Sequence, residues 1–212
     1  IAGLIAVWAL WWVLSADSLE RRVESARAEA IDWVLNNQRD NGLIVYLFDP
    51  EQPDGNSRQN ELRQLMVSRV LADQANHDTR FNEPHLRNLQ FIFDHWYQER
   101  RASDGEIIGL IDYQGKSKLG ANAMLLRTLV ASPHYDQFAE QAMRTAGSIY
   151  ELQNEDGSFR PWLIEPDYEY DTDRLLYFYS GEAILALLEY YDRSGDERAR
   201  IAARQAAEHY LE

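Results

Sequence analysis

The sequence contains no cysteine, which excludes disulfides, cysteine-based zinc sites and thiol nucleophiles and fits a reducing or an oxidising compartment equally well. It is also short of cations. Its 21 Lys+Arg face 35 Asp+Glu, a formal charge of −14, and an excess of that sign repels phosphate backbones and anionic lipid, so nucleic acid is not an expected partner. The five histidines, His77, His85, His95, His134 and His209, form no His-x-x-x-His or His-Glu-x-x-His pair, and neither a metal nor a cofactor is expected. Long hydrophobic runs are lacking too, with one exception at the N-terminus. What is present is a globular composition: 212 residues, 45% apolar and 12% aromatic, enough for one substantial core.

The exception is Ile1 to Leu14, which carries no charge. As a helix it spans about 21 Å, short of a hydrocarbon core of about 30 Å. The chain does not begin with Met, so an upstream piece that completes the span is expected. Trp8, Trp11 and Trp12 fall at i, i+3 and i+4 near the end of the run, where an interfacial belt sits, and Ala2 and Ala6 make a small-residue pair. The sequence therefore assigns residues 1–16 to a transmembrane anchor and 17–212 to a helical domain. Alternatives of the same length are a signal-peptide core and a buried helix. The stretch that follows mixes Arg21, Arg22 and Arg27 with Asp17, Glu20, Glu24 and Glu29. With no positive cluster there, the globular part is expected outside the cytoplasm, in the periplasm or its equivalent.

Beyond the anchor the periodicity predicts seven helices: 18–37, 60–74, 84–98, 119–130, 135–152, 180–192 and 196–211. No run of strands interrupts them. Asn60, Gly120 and Gly181 open alternate helices at spacings of 60 and 61 residues, a period that points to stacked helical hairpins, each covering the apolar face of the last. Connections at 75–83, 131–135 and 193–196 are short, while 38–59, 99–118 and 153–179 are long. If the helices alternate up and down, all three long loops emerge on one face, and long loops in a compact domain usually carry function.

The segments AIDWVLNNQRDNGLIVY (Ala30 to Tyr46) and AGSIYELQNEDGSFRPW (Ala146 to Trp162) resemble the repeat of α/α-toroid proteins, where an outer helix ends in Gln, a polar insert, Gly and an aromatic. YSGEAILALLEYYDRSGDERARIAARQAAEHYL (Tyr179 to Leu211) is similar to the hairpins of N-acylglucosamine 2-epimerase-like and six-hairpin glycosidase-like barrels. The resemblance implies an all-α fold in which the anchor precedes an incomplete or open α/α-toroid of helical hairpins. Such toroids house cyclases, prenyltransferases, epimerases, glycosidases and lyases, so fold alone does not assign a reaction. DYEYDTD (Asp167 to Asp173) does not match the Asp-x-Asp-Asp acid of triterpene cyclases, and the absence of cysteine excludes the zinc chemistry of prenyltransferases.

Saccharide chemistry finds its residue types on the long-loop face. Tyr46, Trp162 and Tyr179 offer rings to the apolar faces of a sugar, and Asn60, Arg63 and Asn122 offer partners to its hydroxyls. Arg63 in particular suits a uronic-acid carboxylate. Glu182, expected in the first turn of its helix, and Asp173 form a candidate carboxylate pair for acid–base work. Asn60 and Glu182 also fit plain helix capping, and the loop acids fit a solvated rim or a calcium site without the usual spacing. Two functions follow. One is a membrane-anchored extracytoplasmic enzyme acting on a saccharide by hydrolysis, elimination or epimerisation. The other is a non-catalytic accessory subunit whose Trp-rich helix meets lipid and other transmembrane subunits of a larger complex.

Overall fold

The computed structural model describes residues 19–47, 49–51 and 58–211. The segment assigned to the anchor, with Trp8, Trp11 and Trp12, lies outside them, as do the loop residues Phe48 and Asp54. Among the described residues no helix is long and apolar enough to cross a membrane. The fold also contains strands. Both findings correct the expectation of an all-α chain with a transmembrane helix.

The chain divides into two compact units, residues 1–37 and 38–212. In the first, α1 (Leu19–Asn36) has the 18-residue length of a span but carries seven charged side chains, which no bilayer core accepts cheaply. Within it Arg27 pairs with Glu24 at 3.0 Å and Ser25 donates to Glu29. None of its residues is buried, and Leu19, Val23 and Trp33 stay exposed.

The second unit holds α2 (Glu61–Ala75), α3 (Asn82–His95), α4 (Leu119–Ala131), α5 (Tyr135–Leu152), α6 (Thr172–Ser194) and α7 (Glu197–Leu211). Helix α4 reads LGANAMLLRTLVA and is apolar around nearly its whole circumference, the signature of a helix surrounded on all sides. It is indeed the hub, packed between α2 and α6 and backed by α5. Leu119, Leu125, Leu126 and Leu129 are fully buried there. Helices α3 and α7 back α2 and α6 in the same way.

The turn that follows α1 and α5 is built twice from one pattern. Gln38 Nε2 donates to the carbonyls of Gly42 and Pro84, and 115 residues later Gln153 Nε2 donates to those of Gly157 and Ala202. Both turns close with an isolated bridge, Gln38 to Ile44 and Gln153 to Phe159. Glycine is required at the tip: Gly42 and Gly157 have φ of +91° and +87°, and a Cβ there would stand 2.4 Å from the carbonyl oxygens of Arg87 and Gln205. Each turn thus seats the backbone of α3 or α7.

Four strands occupy the two remaining long connections. β1 (Tyr97–Arg101) and β2 (Ile107–Ile111) form an antiparallel hairpin, and β3 (Ser117–Lys118) pairs with β4 (Trp162–Ile164). The apolar run IIGLI buries Ile108, Leu110 and Ile111, against α5 among other elements. Helix α6 begins at Thr172, two turns before the expected start, because Asp171 accepts the Arg174 amide at 3.0 Å and caps it there. Glu182 therefore lies in the third turn rather than the first.

Candidate functional site

The long-loop end of the α2–α4–α6 layer contains a buried ion pair. Glu61 is the first residue of α2 and Lys118 precedes α4; their side chains meet at 2.6 Å with only 9% and 15% of their surfaces exposed. The β3–β4 pairing sets Lys118 opposite Trp162, and its Nζ stands 5.8 Å from that ring. Tyr179 of α6 shares a hydrogen bond with Lys118; burial pushes its phenol pKa up while the Lys118 charge pulls the other way. Tyr113 stands by Glu61, its phenol raised by burial and by that carboxylate, and donates to the Gln59 carbonyl at 3.3 Å. The sheets thus converge two loops on one charged pair.

Beside this pair a groove of about 390 Å³ opens between α2 and α6 above α4. Its floor and walls are Leu62, Met66, Met124, Leu175, Phe178 and Tyr179, and its polar groups are Arg63, Arg174 and Glu182. Glu182 is engaged: Arg127 Nη1 donates to it at 2.7 Å and grips Glu189 with two further bonds of 3.2 and 3.0 Å. Burial pulls the Arg127 pKa down, but the hydrogen bonds and charges of Glu189 and Glu182 outweigh it and hold the guanidinium charged. Arg63 and Arg174, by contrast, are exposed and have no carboxylate within ion-pair distance among the described residues. A cationic rim over an apolar floor results, on a chain that is strongly acidic overall.

Of the residues singled out in the sequence, Arg63, Tyr179 and Glu182 meet in this groove. Asp173 lines a different one, with Ser158, Tyr177 and Gly181. Nine residues separate it from Glu182 on one helix, a rise of about 13 Å, well beyond the spacing of a glycosidase carboxylate pair. Asn60 caps α2 by accepting the Arg63 amide at 3.0 Å. Asn122 is fully buried, accepting the Ile111 amide at 2.8 Å and donating to Ser117, and so ties β2 and β3 to α4. Trp162 is buried, edge-on to Tyr170, with no partner for its Nε1 among the described residues. Tyr46 is half-buried in the first loop. Among the described residues no three His, Asp or Glu side chains converge as metal ligands would.

Sequence reasoning missed Glu61, Lys118 and Arg174. The first two join across 57 residues, and their only local signal is that both stand where a repeat opens its inner helix.

No family model matches the chain, and no curated protein does. Among solved structures it is similar to the Lin0763 protein from Listeria innocua, with a TM-score of 0.61 at 15% identity over 91% of this chain and 55% of that one. The likeness is one of fold. The chain spans about half the length of that protein.

Proposed function

We propose that the chain binds and processes an acidic saccharide in the groove between α2 and α6, within a helical layer of α/α-toroid type. The observation that carries this reading is the pair of exposed guanidiniums, Arg63 and Arg174, over a floor of Leu62, Met66, Phe178 and Tyr179. A guanidinium fork matches a carboxylate in two parallel bonds. The rings of Phe178 and Tyr179 suit the apolar face of a sugar. The volume falls within the range of small-molecule sites.

Neutralising a uronate carboxylate makes the C–H bond beside it more acidic; elimination and epimerisation both break that bond, and Glu182, the carboxylate lining the groove, is the base that would take the proton. Tyr179, kept protonated by burial, is placed to donate to a sugar oxygen. Hydrolysis is the less favoured branch, since it needs a second carboxyl group and Asp173 faces another groove.

Titration calorimetry with oligouronates and with neutral oligosaccharides of equal length tests the reading. Acidic oligomers should bind and neutral ones should not, and the double variant Arg63→Ala/Arg174→Ala should weaken binding by about tenfold or more. Elimination would add the ultraviolet absorbance of an unsaturated uronate. Equal binding of neutral and acidic oligomers, or full affinity in the double variant, defeats it.

A further inference from the structure

The sequence has only two lysines, Lys116 and Lys118, and both stand at the long-loop end. Lys118 is engaged by Glu61 and Tyr179. Lys116 has no carboxylate within ion-pair distance among the described residues, and its Nζ lies 5.3 Å from the centre of the Tyr168 ring. Tyr168 belongs to the loop between β4 and α6, the same loop that ends in the Asp171 cap and delivers Arg174 to the groove. Tyr170 ties that loop down, edge-on to Trp162 at 5.6 Å and hydrogen-bonded to Glu165. Tyr168 itself is 51% exposed, and its phenol is near enough to act on that of Tyr179, which lines the groove. A ring and a free cation thus continue the groove past Tyr179. The turn that carries Lys116 adds a second observation. Tyr113 and Lys116 close it with backbone bonds of 2.9 and 3.3 Å, and Gln114 and Gly115 at its tip have φ of +57° and +73°. Asn or Gly takes the first of these positions with little strain. Gln114 is the one non-glycine residue with positive φ among the described residues, and its exposed amide makes no hydrogen bond among them. A glutamine held there costs stability unless the surface uses it.

Charge decides what this extension takes. Residues 165–173 hold five carboxylates, all exposed, and Asp167 and Glu169 adjoin Tyr168 on either side. A second uronate laid on the Tyr168 ring would meet those two carboxylates, with Lys116 alone to offset them. A neutral sugar meets no such repulsion: its hydroxyls donate to the carboxylates and accept from Lys116 and Gln114, and its apolar face suits the exposed ring. We propose, resting on the saccharide reading of the groove, that Tyr168, Gln114 and Lys116 form a second subsite for a neutral sugar joined to the uronate. The ligand is then a mixed oligosaccharide rather than a polymer of uronates. Its uronate sits at Arg63 and Arg174, and its neutral neighbour lies on Tyr168.

Titration calorimetry with one disaccharide skeleton tests this. Cellobiose is compared with its oxidised forms, in which the primary alcohol of one ring, of the other, or of both has become a carboxylate. One singly oxidised isomer should bind about tenfold more tightly than the doubly oxidised form, and cellobiose should not bind. Tyr168→Ala should remove that advantage while leaving the affinity for glucuronate, which occupies the groove alone, unchanged. Asp167→Asn/Glu169→Gln should bring the doubly oxidised form to within about twofold of the singly oxidised one. A doubly oxidised form that binds the parent as tightly as either singly oxidised isomer, or a singly oxidised isomer indifferent to Tyr168→Ala, overturns the second subsite and leaves the acidic groove standing. No binding of any oxidised form defeats the saccharide reading and the subsite with it.

Discussion

At the short-connection end of the helical layer, His85, Ser132 and His134 meet in a hydrogen-bonded cluster around the buried His85 ring, whereas at the long-loop end Glu61 and Lys118 meet as an ion pair. His85 is fully buried, its Nε2 lies 2.8 Å from the Ser132 hydroxyl, and its ring stacks with that of His134 at 6.4 Å. That hydroxyl also accepts the His134 amide, and Asn76 donates to the carbonyls of Ala72 and Ala131, so the Asn76–Ala131 and His85–Ser132 bonds tie separate elements together at this end. The other end has its ion pair beside an open groove with two exposed guanidiniums. Hydrogen bonds of Asn76, His85 and Ser132 close the first end without an ion pair between them. Charges held out of water add desolvation cost without adding net stability over apolar packing.

The sharpest way to break this contrast is to remove one ion. Lys118→Met leaves the Glu61 carboxylate buried without its partner and should cost about 3–5 kcal/mol in urea unfolding. Adding Glu61→Leu to the same chain should recover most of the loss. A single variant within 1 kcal/mol of the parent would mean that the pair behaves as a surface pair, and the contrast between the two ends would collapse.

The next effect belongs to the His85 end and is read in pH. Burial, with the nearby His134 adding to it, lowers the His85 pKa to about 4. The unfolded chain holds the same imidazole near 6.5. Between those values the unfolded state takes up a proton that the folded state refuses, so stability present above pH 6.5 is lost as the pH falls toward 4, by up to about 3 kcal/mol. Below pH 4 this group contributes no further slope. His85→Gln should flatten the stability profile between pH 6.5 and 4.5 whatever its effect on absolute stability. An unchanged slope would show that His85 takes up its proton alike in the folded and unfolded chains.

The layer was legible in the sequence because its signals are local. Three- and four-residue spacing marks α4 and α5 to within a residue, and Gln38 to Gly42 and Gln153 to Gly157 repeat a pattern that one turn requires. The strands were not legible, since Tyr97 and Gln98 read as the tail of a helix and IIGLI as loop; the Ser-Asp-Gly turn between them was the available clue. Helix α6 was truncated for a similar reason, as DYEYDTD reads as rim until Asp171 is seen to cap. At the site, Arg63 and Tyr179 followed from residue type and position. Glu61 and Lys118 did not, because neither changes the local pattern and only the stacking of hairpins brings them together.

The smallest effect separates fold from function at a single residue. Asn60 satisfies one of the free amides at the start of α2. Asn60→Ala should cost about 1 kcal/mol, the ordinary value of a lost cap. Asn60→Asp keeps an accepting oxygen and places a negative charge at the helix N-terminus, where it is tolerated or slightly favourable, so its stability should match the parent. The same aspartate stands three residues before Arg63, at the rim where the proposal brings a uronate. It should weaken acidic oligosaccharide about threefold to tenfold through like-charge repulsion while leaving unfolding untouched. If Asn60→Asp lowers neither, the residue is a cap and the anion does not come near this helix start; if it lowers binding alone, the long-loop end is a site whose charges are arranged for a ligand rather than for the fold.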